Sequence, residues 1–287
     1  MMRLSMETYI LQKRFGEEKA FAMLREAGFD AVDFSFYDYK DPWFMKNDYL
    51  TRAEQLKEAL AEQGLCCAQA HAPFEMMWGE AFDPENPHYL QVLRSMEVAS
   101  ILGAKCIVVH ALDRSVETPE EETVDMNYRY YKSLQPWCER FGIQIAVENL
   151  FLYDTKRRSV AGLFCTPESL CGILRKLDSK WFTACVDVGH ASVCGWEPEE
   201  FIRRMDPALL GALHIQDTDY LDDRHTMPYL GDLHWEAIMA ALREKGFKDG
   251  INLEIISYVD RFPDVFLPDA LAMAAKVGRH LIGLLGE

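Results

Sequence analysis

No stretch of the 287-residue chain approaches the ~18 consecutive apolar residues of a membrane span, and the opening MMRLSMETYI lacks the apolar core of a secretion signal. Low-complexity tracts and long charge blocks are missing too, so no segment reads as disordered. Cations are scarce: 30 Lys and Arg stand against 46 Asp and Glu, a net charge of −16. Such a surface repels polyanions over roughly a Debye length and makes extended nucleic acid a poor partner. None of the eight cysteines forms a C-x-x-C pair, which removes the usual structural zinc site. With no secretion signal, and with Cys66-Cys67, Cys106 and Cys185 inside apolar runs, the cysteines read as reduced thiols. What remains is a soluble, cytoplasmic protein with no membrane partner, and 49% apolar residues suffice for one barrel-sized core.

What is present is a repeated unit. MLREAGFDAVDFSF, ALAEQGLCCAQAHA, SILGAKCIVVHA, CERFGIQIAVENL and LREKGFKDGINLEI each run from an amphipathic helix through a glycine into a short apolar strand. The glycine falls where a left-handed residue ends a helix. The strands do not alternate in polarity, as expected of parallel strands buried on both faces. The pattern predicts strands near 3–7, 30–36, 65–71, 105–110, 143–148, 182–187, 211–216 and 251–255. It predicts helices over 17–27, 51–63, 88–102, 120–141, 167–177, 198–205, 234–245 and 268–284, with Thr166 as an N-cap and Pro167 at the first helical position. Eight strands alternating with eight helices over 1–287 predict a single α/β domain, a closed (β/α)8 TIM barrel. A doubly wound open sheet is the alternative, but no glycine-rich fingerprint follows the first strand.

In such a barrel the chemistry lies at the C-terminal ends of the strands. The third predicted strand ends in His71 and the fourth in His110. Glu148 ends the fifth, and Asp187 ends the sixth with His190 just beyond. The seventh carries His214 and the eighth Glu254, while the loop after the seventh holds Asp223, Arg224 and His225. A lone histidine at a strand end is usually structural, and a lone glutamate can pair with an arginine or a helix N-terminus. Glu148, Asp187 and Glu254 together would crowd one barrel mouth, and a divalent cation is the simplest way to hold three such charges. Three carboxylates and one imidazole form an oxygen-rich site suited to one Mn²⁺, Mg²⁺ or Co²⁺, with Zn²⁺ also acceptable. Trp78 and Trp196 are equally readable as loop packing or as substrate-facing walls. The basic run DTKRRS, Asp154 to Ser159, reads as a solvated loop or as the one candidate phosphate contact.

These residues resemble the xylose isomerase-like barrel superfamily, in particular its sugar phosphate isomerase/epimerase group, which includes ketose 3-epimerases and inosose-processing enzymes. The resemblance spans nearly the whole chain. It implies that Glu148, Asp187, His214 and Glu254 bind one divalent metal, and that Glu148 and Glu254 are the catalytic acid/base pair. It also implies substrate contacts from His190, although the spacing here is D-x-x-H, and from Arg224. Endonuclease IV shares the barrel and holds three zinc ions. Its nine-ligand pattern resembles His71, His110, Glu148, Asp187, His190, His214, Asp223, His225 and Glu254. Two features oppose that activity: the −16 charge, which suits no duplex binder, and TMPYLGDLHW, which departs from the G-E-G expected after the D-x-H pair.

The expectation is therefore a metal-dependent isomerase or epimerase acting on a carbohydrate, phosphorylated or not, by proton transfer through an enediolate. An endonuclease IV-like multi-zinc phosphodiesterase is the alternative, and a metal-holding binding protein without turnover is a third reading. The resemblance is compatible with a homo-oligomer.

Overall fold

A computed structural model describes residues 2–37, 42–74, 85–112, 120–154 and 156–286. Eight parallel strands form one sheet in the order β10-β1-β2-β3-β4-β5-β8-β9. They are β1 (Leu4–Glu7), β2 (Ala31–Ser35), β3 (Cys66–His71), β4 (Cys106–Val108), β5 (Gln144–Glu148), β8 (Phe182–Asp187), β9 (Leu210–His214) and β10 (Ile251–Leu253). A parallel bridge between Ile215 and Leu253 joins the two edges, with Ile215 N–H donating to Asn252 O at 2.9 Å and Glu254 N–H to Ile215 O at 3.0 Å. The sheet is thus a closed barrel, and the open-sheet alternative is excluded.

The eight anticipated helices are α2 (Glu17–Ala27), α3 (Tyr49–Glu62), α4 (Pro87–Leu102), α5 (Glu120–Phe141), α6 (Pro167–Leu177), α8 (Pro198–Arg204), α9 (Trp235–Glu244) and α11 (Leu267–Leu284). The helix-ending glycines Gly28, Gly64, Gly103, Gly142 and Gly246 all have positive φ, between 67° and 103°, which a β-carbon would disfavour. Thr166 caps α6 by accepting the Ser169 N–H, and the Ser169 hydroxyl accepts the Thr166 N–H in return.

Besides two single-turn 3-10 helices, Trp43–Met45 and Asp264–Phe266, the structure adds elements that the periodicity missed, and these all follow a strand's C-terminal end. Three are short helices: α1 (Tyr9–Phe15), α7 (Val188–Val193) and α10 (Ile256–Asp260). The fourth is an antiparallel hairpin of β6 (Phe151–Tyr153) and β7 (Ser159–Ala161). At five to seven residues, the helices are too short for a 3.6-residue period to register.

The barrel interior is layered. Cys106, Val108, Ala146, Cys185 and Ala212 form a small-residue cluster within it. A polar layer crosses four strands: Ser5 Oγ donates to Asn252 Oδ1 at 2.9 Å, and Asn252 Nδ2 and Gln69 Nε2 each donate to Asp33 Oδ2 at 2.8 Å. Outside, the helices cover the sheet through a continuous apolar core in which Phe34 packs on Phe36 and Phe36 on Phe44, with ring centroids 4.9 and 5.1 Å apart. None of the eight cysteines is in a disulfide. Five are buried, while Cys66, Cys165 and Cys194 are only partly so. Among the described residues no helix is long and apolar enough to cross a membrane.

Candidate active site

Strand register brings the strand-end groups onto one rim. Asp187 lies opposite His214 in the β8–β9 pairing, and β5 delivers Glu148 beside β8. Glu254 follows β10 directly. The four residues Glu148, Asp187, His214 and Glu254 are at most 3% exposed, and each offers a ligand atom within 4.8 Å of the others. His214 Nδ1 sits 2.7 Å from Glu148 Oε1 and 3.0 Å from Glu254 Oε2. One ring nitrogen can carry one proton, so it cannot serve both carboxylates. Glu148 Oε2 and Glu254 Oε2 are buried and accept no well-directed hydrogen bond among the described residues, their close neighbours being His110 Nε2 at 2.8 Å and His214 Nδ1 at 3.0 Å, an expensive arrangement in a dry site. These atoms fit a divalent cation: the carboxylate oxygens and the Nδ1 lone pair converge, and a double positive charge would answer three anions.

The electrostatics tell the same story. Burial raises the Glu148 carboxyl, but His214, His110 and His71 outweigh it and hold the group well below the usual carboxylate range. Glu254 is likewise raised by burial and pulled back by His214 and His225, to about 2. Asp187 is pushed up to about 6 by burial, against His190, with Glu254, Glu148 and Asp223 adding to the rise. Burial alone would keep His214 neutral, yet the surrounding anions push it well above its ordinary value. The anions thus favour positive charge at the centre of this cluster, which is where a cation would act. With Nδ1 as the ligand atom, the Nε2 proton faces Asp33 Oδ2, 3.6 Å away, the carboxylate-behind-histidine arrangement common at metal sites.

A second group of ligand types adjoins the first. His190 Nε2 is 3.6 Å from Asp223 Oδ2, and His225 Nε2 is 2.8 Å from the same oxygen. His190 Nδ1 faces the Asn149 carbonyl at 3.0 Å, which turns Nε2 toward the carboxylates. Asn149 also clamps the end of β8: its Nδ2 donates to Asp187 O and its Oδ1 accepts the Asp187 N–H. His71 and His110 form a third group beside Glu148. Their Nε2 atoms are 3.1 Å apart, and His110 Nε2 is 2.8 Å from Glu148 Oε2. His71 Nδ1 faces the Ala72 carbonyl at 2.8 Å.

Glu148, Glu254, His110, His190, Asp223 and His225 all line one cavity of about 290 Å³, walled on its apolar side by residues such as Phe74, Phe151 and Leu152. A cavity of about 490 Å³ shares Tyr37 with it but is lined by Tyr9, Gln12, Lys13 and Trp43, and holds none of these ligand residues.

One anticipated contact is placed elsewhere. Arg224 is exposed and pairs with Asp219 rather than lining the cavity, because the chain turns so that Asp223 and His225 point inward and the residue between them points out. Trp196 packs on Phe201, with centroids 5.9 Å apart, beneath the Arg204 guanidinium, so it belongs to the helix layer. Trp78 lies outside the described residues. Between β6 and β7 the Asp154 carboxylate accepts the Lys156 and Arg158 N–H groups and pairs with the Arg158 guanidinium. That exposed pairing favours the solvated-loop reading of DTKRRS. Sequence reasoning missed Glu7, Asp33, Tyr37 and Gln216. Glu7 carries the same strand-end carboxylate signature as Glu148, and Asp33 interrupts an otherwise apolar strand.

A closed barrel with carboxylates and imidazoles converging at its C-terminal mouth defines a (β/α)8 protein with its candidate site at that mouth. The chain belongs to the xylose isomerase-like TIM barrel family, whose sequence profile matches residues 21–277. It is 29% identical over 164 residues to an uncharacterised protein of Methanocaldococcus jannaschii; the match covers 56% of this chain and 54% of that one, about half of the relative's length. Among solved structures it resembles a D-tagatose 3-epimerase-like protein (TM-score 0.77, 21% identity, 99% and 98% of the two chains). It also resembles an Escherichia coli 3-keto-D-glucoside 4-epimerase (TM-score 0.72, 19% identity, 96% and 100%).

Proposed function

We propose that this protein is a divalent-metal-dependent sugar isomerase or epimerase. The observation that carries the reading is that two buried glutamates, Glu148 and Glu254, line one cavity and both approach His214 Nδ1, at 2.7 and 3.0 Å. Glu148, Asp187, His214 and Glu254 would hold the ion, which when bound supplies Lewis-acid polarisation of a substrate carbonyl and its neighbouring hydroxyl. One glutamate removes the proton alpha to that carbonyl, and the other returns a proton. Return to the opposite face of the same carbon is epimerisation, and return to the adjacent carbon is isomerisation. His190 and His225, which line the same cavity, would hydrogen-bond sugar hydroxyls. The phenyl and aliphatic wall excludes water and offers a face to the sugar's C–H groups. The two epimerase neighbours support the same substrate class at the level of fold.

A specific observation favours a second reading. His190, Asp223 and His225 form a separate ligand triad beside the first cluster, and His71 and His110 approach Glu148 Oε2, an arrangement that suits a multi-zinc phosphodiesterase. Elemental analysis of the purified protein decides between the two. About one manganese, cobalt or magnesium per chain, with solvent deuterium entering a ketose from a substrate panel, supports the isomerase reading. Two or three zinc ions per chain and no ketose exchange would overturn it. One metal per chain with no exchange into any sugar would favour a binding protein.

A further inference from the structure

Gln216 is the first residue past Ile215 beyond β9 and is fully buried. Its side chain touches both ligand groups at once. Nε2 donates to Asp223 Oδ1 at 2.7 Å and reaches Asp187 Oδ2 and Oδ1 at 3.2 and 3.3 Å. Oε1 accepts the backbone N–H of His225 at 2.7 Å. Because a backbone N–H can only donate, this last bond fixes which end of the amide is oxygen. The two Nε2 protons are then directed at two carboxylates, one from each group.

Two further observations show that the surrounding chain is shaped around this amide. Gly189, in the first turn of α7, faces it directly: a β-carbon there would lie 2.5 Å from Gln216 Cδ and 2.8 Å from Cγ and Nε2. His225 has φ of 41°, a left-handed conformation for a residue with a β-carbon, and such conformations persist where neighbours over-determine them. The Gln216 oxygen on its N–H is one of those constraints, and the His225 Nδ1 contact with the Glu254 carbonyl at 3.1 Å is another.

We propose that Gln216 is a positioning residue that ties Asp223 and His225 to Asp187, so that the two ligand groups form one rigid floor, and that residue 189 is glycine to admit it. A neutral amide suits the task. It donates to two carboxylates without adding charge, whereas a lysine would compete with a metal and a glutamate would add a further anion. This inference rests on the metal reading of the site, and the test separates the two.

Metal-stripped full-length protein is titrated with Co²⁺, following both affinity and the visible absorption of the bound ion, for wild type, Gln216→Met, Gln216→Asn and Gly189→Ala. Gln216→Met keeps the length and loses the donors. Gly189→Ala leaves Gln216 in the sequence and evicts its side chain, at a helical position where alanine is otherwise favoured. Loss of a group behind a ligand typically weakens metal binding 10–100-fold. The expectation is a loss of about that size, with an altered absorption band, in both Gln216→Met and Gly189→Ala. Gln216→Asn, which keeps the amide on a shorter stem, should recover part of it. Gly278→Ala, which crowds Leu4 away from the site, serves as a destabilised control that binds Co²⁺ as wild type does. Affinity and spectra unchanged within twofold in Gln216→Met and Gly189→Ala would overturn the role of Gln216 while leaving the metal site standing. Failure of wild type itself to bind Co²⁺ would overturn the metal reading, and this inference with it.

Discussion

Glu7 offers the sharpest test of the electrostatics at this barrel mouth. It ends β1, is 3% exposed, and its Oε1 accepts the Tyr9 N–H. Burial first, then the charges of Glu254 and Asp33, push its carboxyl up to about 8 against that backbone hydrogen bond. In the unfolded chain the same group titrates near 4.5. Between those values the folded protein holds a proton that the unfolded chain has released, so stability must fall as pH rises. The slope is about 1.4 kcal/mol per pH unit for one such group. Its contribution is fully present below pH 4.5 and lost as pH climbs through 8.

Glu7→Gln keeps the acceptor for the Tyr9 N–H and removes the titration. Urea unfolding of metal-stripped protein at a series of pH values gives the free energy of each variant. Between pH 5.5 and 7.5 the wild type should lose about 3 kcal/mol more than Glu7→Gln. Shifts common to both proteins, including that of Asp187, cancel in the difference. Metal should flatten the wild-type curve, because a bound cation offsets the Glu254 charge that helps raise Glu7. Parallel profiles, with a difference constant to about 0.5 kcal/mol across the window, would refute the reasoning. They would mean that Glu7 does not hold its proton in the folded state.

On the proposed scheme, Glu148→Gln and Glu254→Gln should each abolish deuterium exchange into any ketose that the wild type labels, while the circular dichroism spectrum stays native; near-wild-type exchange in either would rule out the two-glutamate scheme. Asp33→Asn removes the charge behind His214 Nε2 and should weaken divalent metal binding about 10–100-fold by calorimetric titration. Gly278→Ala puts a β-carbon 2.4 Å from Leu4 Cδ1 and should cost about 1–3 kcal/mol in urea unfolding.

The barrel was legible because its signal is redundant. Each helix, glycine and strand repeats one instruction, and a missed boundary changes nothing about the closure. The four-residue cluster was legible for a different reason: a carboxylate or imidazole at the end of an apolar run violates the local pattern, and the violation recurs at the same place in successive strands. Arg224 shows the limit. Its position between Asp223 and His225 is visible in sequence, but whether alternate residues of an irregular loop face in or out depends on φ and ψ values that no periodicity encodes. His225 at φ 41° is such a value.

Asp33 and Gln216 were missed because their roles depend on partners far along the chain. Asp33 takes hydrogen bonds from Gln69 and Asn252, residues 36 and 219 positions away. The amide of Gln216 reads as an ordinary polar residue until Asp187, Gly189 and Asp223 are placed around it. Strand ends fix where the chemistry sits, since the β-sheet delivers them to one rim whatever the loops do. The groups behind them make a ligand set rigid, and those groups are recruited from across the barrel. A sequence read strand by strand therefore finds the strand-end groups more readily than their supports, and the tests of Asp33 and Gln216 address the half of the site that only the fold assembles.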